Sequence, residues 1–261
     1  MNGITLLRAT FGAQLADFLE GAPPAMSPGP AGPIVLLHGF AGWSGGLLPL
    51  ERHLRAATGR DVLRLQLGAG LDGIEGLARR AAERIARVAE AARGRPIDVV
   101  GHSMGGLVAT YVAKHLDPGA RIRRVVTLGT PHRGTALALS GARYLGYLGR
   151  IASSLAQMVP GCAFLADLDR AALPATASLV SVAGLGDLVV PEPCARLPRR
   201  ARHHNRSLAD ADHWDLVYGA PAQALVVRLV RGTPLAPPLT ARRAAPAGRI
   251  RDGRDRLRLV E

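Results

Sequence analysis

Aromatic side chains, cysteine and lysine are all scarce in this chain, and each scarcity removes a class of explanation. Phe, Trp and Tyr make up 4% of 261 residues. Single-strand nucleic-acid binding needs aromatic platforms interleaved with the cations, so the formal charge of +13 does not by itself point to nucleic acid. That charge comes almost wholly from arginine, with Lys114 the only lysine, and no nucleic-acid partner is expected. Only Cys162 and Cys194 are present, which excludes a disulfide-dense scaffold; two reduced thiols are the simpler expectation. No run reaches the roughly 18 apolar residues of a membrane span. Near the start, ITLL is too short for the apolar core of a signal peptide, and Asp17 and Glu20 fall where such a core would continue. The expectation is a cytoplasmic protein, or one peripheral at a membrane surface.

What the chain does have is hydrophobic content, 48%, enough for one large α/β domain with a well-buried core. Residues 1–32 are an amphipathic segment and a Pro/Gly-rich linker. Residues 33–232 then alternate. Short apolar runs PIVLL (33–37), DVLRLQL (61–67), IDVVG (97–101), RRVVTLG (123–129) and SLVSVAG (178–184) predict strands. Between them LLPLERHLRAATG, IEGLARRAAERIARVAEAARG and residues 103–115 have helical periodicity, and PAQALVVRLVRG (221–232) predicts a closing helix. Such alternation implies right-handed crossovers and a mostly parallel, doubly wound sheet. Residues 133–175 interrupt the rhythm with a Gly/Ala/Leu-rich insertion, read as a helical cap or lid or else as a permanently packed helix. Residues 233–261 are Pro- and Arg-rich and predict a disordered tail.

Gly101-His102-Ser103-Met104-Gly105 follows a predicted strand and opens a predicted helix, the context of a nucleophile elbow. The same G-x-S-x-G pattern recurs at Gly42-Trp43-Ser44-Gly45-Gly46, but Ser44 sits inside a Gly-rich loop well past its strand. Ser103 is therefore the candidate nucleophile. Acyl transfer also needs two backbone N–H donors for the oxyanion, one after the nucleophile and one from an earlier loop. Met104 and Phe40, in the His38-Gly39-Phe40 loop, occupy those positions. His38 reads as a residue fixing that loop. Of the eight histidines, only His203, His204 and His213 lie late enough to serve as base; His213, in a turn-rich loop before the closing helix, is the candidate. Asp187, just past a strand end, is the candidate acid, with Glu192 its nearest substitute.

LLHGF, VVGHSMGG, VVTLGTPHRGT, GDLVVP and DHWDLV, in this order, resemble the bacterial triacylglycerol lipases and esterases of the α/β-hydrolase fold, over about residues 33–232. The resemblance implies that fold and carboxylic-ester hydrolysis through an acyl-enzyme, on lipid or small esters, with His132 structural. An acyltransferase or thioesterase with the same triad is the enzymatic alternative, and a silent binding protein the non-enzymatic one. In some secreted members a disulfide and a calcium ion tie the lid and histidine regions together; Cys162 and Cys194, and Asp167 and Asp215, fall in comparable places. Two carboxylates are a thin basis for calcium, which takes six to eight oxygens, so no cofactor is expected. Leu148 and Ile151, at helical spacing in the insertion, are candidate substrate contacts.

Overall fold

In the computed structural model, which describes residues 26, 27, 29–68, 72–144 and 153–232, strands and helices alternate from the first strand onward. In chain order they are β1 (Ile34–Leu37), α1 (Leu48–Thr58), β2 (Val62–Leu65), α2 (Ile74–Ala91), β3 (Ile97–His102), α3 (Met104–Tyr111), β4 (Ile122–Leu128), α4 (Ala136–Tyr144), α5 (Ser153–Ala156), α6 (Ala163–Arg170), β5 (Ser178–Gly184), α7 (Glu192–Ala195), β6 (His203–Leu208), α8 (Asp215–Tyr218) and α9 (Ala220–Arg231). The last turn of α3 widens into a π turn at Val112–Leu116. The six strands form one sheet in the order β2-β1-β3-β4-β5-β6, and each neighbouring pair is parallel. Among the described residues no helix is long and apolar enough to cross a membrane.

Period-two alternation assigns each strand residue to one of two cores. Val35, Leu37, Val99, Val125 and Leu179 join α2, α3 and α6 on one face. Ile34, Leu36, Val100, Val126, Val180 and Val182 join α1, α8 and α9 on the other. With both faces covered, the central strands are continuous apolar runs, as parallel strands require. β6 is different. The polar run RARHHNRS reads in sequence as either strand or loop; it pairs with β5 from Leu179↔His203 to Gly184↔Leu208, and as an edge strand it has little apolar surface to bury.

The N-terminal edge of the sheet carries a charged cluster that the sequence did not announce. Asp98, fully buried, accepts from Arg60 Nη1 at 2.7 Å and from Arg123 Nη2 at 2.6 Å and Nε at 3.1 Å. Arg60 also donates to the carbonyls of Gly32, Pro33 and Val230. One carboxylate and two guanidinium groups thus tie together the entries of β1, β3 and β4 and the end of α9.

The insertion between β4 and β5 is not uniform. Phe164, Leu165 and Leu168 of α6 are part of the α2/α3 core, so this helix is a fixed layer of the domain. Any gating segment is thereby narrowed to the part before it, and of that part residues 145–152 lie outside the described residues.

Candidate active site

The corner at the end of β3 is built on close backbone approach. Ser103 has φ 53° and ψ −126°, a conformation that costs a residue with a side chain about 1–3 kcal/mol and survives only where the surroundings enforce it. They do so here. A Cβ at Gly101 would lie 2.5 Å from Gly105 O, one at Gly105 would lie 2.4 Å from His38 O, and one at Gly106 would lie 1.9 Å from Thr130 Oγ1. Ser103 N–H donates to Leu128 O at 2.8 Å, and Thr130 Oγ1 donates to Ser103 O at 2.9 Å. The serine is thus pinned at the start of α3, above the C-terminal ends of the strands.

The His38-Gly39-Phe40 loop sits directly against this elbow: a Cβ at Gly39 would lie 3.0 Å from Ser103 Cβ. Gly42 N–H closes a tight turn onto Gly39 O at 3.2 Å, with Phe40 the first central residue of that turn. His38 holds the loop from below. Its Nε2 accepts from Leu67 N at 3.0 Å, so its Nδ1–H donates to Gly39 O at 2.8 Å, and burial keeps its pKa below the usual histidine value. Met104 opens α3, so its N–H is one of the first four in a helix that lack an intrahelical acceptor.

Asp187 and His213, 26 positions apart, meet at the same corner. His213 Nδ1 donates to Asp187 Oδ2 at 2.8 Å, and both side chains are buried. Asp187 Oδ1 accepts from Val189 N at 2.9 Å and Val190 N at 2.7 Å, which fixes the carboxylate plane. With Nδ1 donating, the free lone pair of a neutral His213 is on Nε2. Gly129, at φ 55°, makes room for the pair: a Cβ there would lie 3.0 Å from both Asp187 Oδ2 and His213 Nδ1.

His102 links the elbow to the histidine loop. Its Nε2–H donates to the His213 carbonyl at 3.0 Å, and the two rings lie 4.6 Å apart. Burial, and secondarily the neighbouring His213, lower its pKa to about 3. In sequence His102 lies too early, inside the elbow motif, to be a candidate base, and its contact across 111 positions leaves no local signal.

His132, half-buried, lies with Nε2 3.0 Å from Thr127 Oγ1, and desolvation lowers its pKa to about 3. His102 and His132 therefore stay neutral in the folded chain at pH values where the unfolded chain is protonated. Folded pKa values below the unfolded 6.5 give stability that is complete above 6.5 and is lost as pH falls toward about 3. Each group contributes up to about 1.4 kcal/mol per pH unit inside that window. Urea unfolding between pH 7 and 5 should show stability falling with an uptake of at least about two protons, since His38, His203 and His204 are displaced in the same direction. A flat profile over that range would contradict the burial of these rings.

The remaining sequence candidates are placed as follows. Ser44 is buried in its loop, its N–H donating to Gln66 Oε1 at 2.8 Å. His203 lies at the start of β6, at the opposite edge of the sheet from Ser103, and its neighbour His204 follows it on the same strand. Glu192 accepts from Arg196 and Ser207, away from His213. Asp167, on α6, is within 3.8 Å of His115 and 3.7 Å of Arg170; Asp215 accepts from Asp212 N–H at 3.0 Å. The described residues contain no group of three or more His, Cys, Asp or Glu side chains that could hold a metal. Cys162 and Cys194 are free thiols, not the bridge that the resemblance implied, and Cys162 Sγ donates to Gln157 O at 3.2 Å. Leu148 and Ile151 lie outside the described residues.

Comparison with known proteins agrees with this architecture. Triacylglycerol lipases of Pseudarthrobacter phenanthrenivorans and Burkholderia plantarii are each 30% identical to the chain over 116 residues. That stretch is 41% of this chain and 35% and 31% of the respective relatives, so the match spans about a third of their length. Among solved structures, the mature Bacillus licheniformis lipase BlEst2 superposes with a TM-score of 0.66 at 21% identity, over 80% of this chain and 96% of the other. Aspergillus fumigatus lipase B gives 0.65 at 19%, over 80% and 55%. At such identities the likeness speaks for the fold alone. The sequence match to the alpha/beta hydrolase family covers residues 34–258 and contains the whole corner described above, so with a parallel sheet, a strained serine turn and a buried acid–histidine pair, the chain belongs to that family.

Proposed function

We propose that the chain is a serine hydrolase that cleaves carboxylic esters of lipids. The observation that carries this reading is the buried Asp187–His213 pair, joined through His102 to a serine held in a strained turn. In the proposed reaction Ser103 Oγ attacks the ester carbonyl carbon while His213 Nε2 takes its proton, and Asp187 stabilises the resulting imidazolium. The N–H groups of Phe40 and Met104 donate to the tetrahedral oxyanion. Collapse breaks the bond to the leaving oxygen, His213 returns the proton to the alcohol, and the acyl group stays on Ser103. A water, deprotonated by His213, then repeats the sequence and releases the acid.

A lipid substrate is supported by the relatives, which are triacylglycerol lipases, and by the rim of the site. The exposed large apolar residues among those described are Trp43, Leu137, Leu139, Leu185, Leu188, Trp214 and Tyr218. All lie on loops, helix starts or the short helix α8 that follow strand ends, on the side of Ser103. Leu188 is 91% exposed, beside buried Asp187. Trp214 stacks on Tyr218 at 6.4 Å and lies 5.7 Å from His102. Large apolar residues exposed on the strand-exit side, beside a reactive corner, fit a surface that meets lipid.

The test is a series of p-nitrophenyl esters of rising chain length alongside emulsified triacylglycerol. Wild type is expected to turn over both. Leu185→Ser and Leu188→Ser should lower emulsion activity several-fold and leave a soluble short-chain ester nearly unchanged. Equal losses on both substrates would remove the lipid surface from the reading, and no turnover of any oxygen ester would overturn it.

A further inference from the structure

A second cavity lies away from the reactive corner. It opens under α6, between the π turn of α3, the loop at residues 196–198 and the first residues of β5 and β6, and has a volume of about 390 Å³. None of its lining residues is Phe40, Ser103, Met104, Asp187 or His213. Its size falls within the range of small-molecule sites, about 300–1,000 Å³.

The lining has two characters. Leu165, Leu168, Leu179 and Leu197 form an apolar wall, while Lys114, Arg133 and Arg196 bring three cations against one carboxylate, Asp169. Asp169 is already engaged by Arg200 at 3.0 Å, and Arg196 by Glu192 at 2.5 Å. Lys114 and Arg133 have no ion pair within 4 Å among the described residues. Lys114 Nζ donates to Leu168 O at 2.7 Å, which uses one of its three hydrogens. Partial burial, with Arg200 nearby, lowers the pKa of this amine to about 8; Asp169 opposes the shift. The two histidines that face it, His132 and His203, are both pushed toward the neutral form by burial. Cations without matching carboxylates beside an apolar wall suit an anion whose other end is hydrocarbon.

We propose that this cavity binds an amphiphilic monoanion, a carboxylate carrying a short aliphatic chain, with Lys114 and Arg133 on the carboxylate and the leucine wall on the chain. The site stands independently of the reaction assigned to Ser103. If that reaction is ester hydrolysis, the ligand has the chemistry of its acid product.

Lys114 makes the test specific. Reductive methylation with ¹³C-formaldehyde labels the N-terminal amine and Lys114, the chain's only lysine. Octanoate should move the Lys114 resonance saturably and raise its titration midpoint, because a bound anion favours the ammonium form. Affinity should accordingly fall as pH rises through about 8, the carboxylate and the arginines keeping their charges throughout. By calorimetry, acetate and inorganic phosphate should each bind at least about tenfold more weakly than octanoate, since they have no chain for the leucine wall. Lys114→Met should weaken octanoate binding about ten- to hundredfold, the loss of a charged hydrogen bond, whereas Lys114→Arg should retain it. Arg133→Gln, at an exposed position, gives a variant whose folding is not in question and should also weaken it. Three results would each overturn the proposal: no saturable octanoate binding up to about 10 mM, binding that leaves the Lys114 signal unmoved, or phosphate bound as tightly as octanoate.

Discussion

Ser103→Ala is expected to remove ester hydrolysis by about four to six orders of magnitude while the chain stays folded. The alanine keeps the Cβ that the turn already accommodates beside Gly39, so the elbow should hold its shape and lose only the attacking oxygen. His213→Ala removes the proton acceptor and should fall to a similar floor. Asp187→Asn should cost about 10⁴, because an amide can present its N–H to Nδ1 and reverse the tautomer that leaves Nε2 free. The three act as a unit, so the double variant Ser103→Ala, His213→Ala should be hardly worse than either single one. A fluorophosphonate probe should label wild type once and Ser103→Ala not at all. Labelling of the alanine variant, or full activity in Ser44→Ala together with full activity in Ser103→Ala, would move the nucleophile elsewhere.

The largest stability effect is expected at the opposite edge of the sheet. Asp98→Ala should cost about 3–5 kcal/mol, the range for breaking a buried ion pair from one side, because it strands Arg60, 6% exposed, without a carboxylate. For a domain of this size that corresponds to roughly 10 °C in Tm. Activity per folded molecule should hardly change, since the cluster is at the strand entries and the reaction corner at the strand exits. Replacing Arg60, Asp98 and Arg123 together by apolar residues of similar volume should cost far less than the single change, as no charge is then left unanswered. A loss below about 1 kcal/mol for Asp98→Ala in urea unfolding would show that solvent reaches Arg60 freely.

The strand and helix order was legible because both faces of the sheet are covered: Ile34 to Leu37 read as one apolar run and bury all four side chains. Asp187 and His213 were legible because each follows a strand end, in the serine, acid, histidine order of the α/β-hydrolase fold, and the structure brings the two to hydrogen-bonding distance. What could not be read depends on contacts distant in sequence. Nothing near His102 tells that its ring donates to a carbonyl 111 positions away, and nothing in TLGTP tells that Gly129 clears space for an acid–histidine pair. Asp98 is in sequence only a polar position in the run IDVVG, and in the fold it is the centre of a cluster drawn from four other segments. The insertion stayed open between a cap and a permanently packed helix because composition does not distinguish a helix that covers a site from one that belongs to the core, as α6 does.

The chain's two tryptophans, Trp43 and Trp214, both stand on the rim of the reaction corner, 46% and 58% exposed. Trp43 and the hydroxyl of Tyr218 border the same glycine, Gly46, and Tyr218 stacks on Trp214, so the chromophores form one group. Intrinsic fluorescence of this protein is therefore an optical probe of the rim and is blind to the core. Native emission should already be red-shifted, unfolding should change its wavelength little, and quenching by acrylamide should fall when an amphiphile covers the corner. Far-ultraviolet dichroism, which follows the helices on both faces of the sheet, is the signal by which global unfolding of this chain has to be measured.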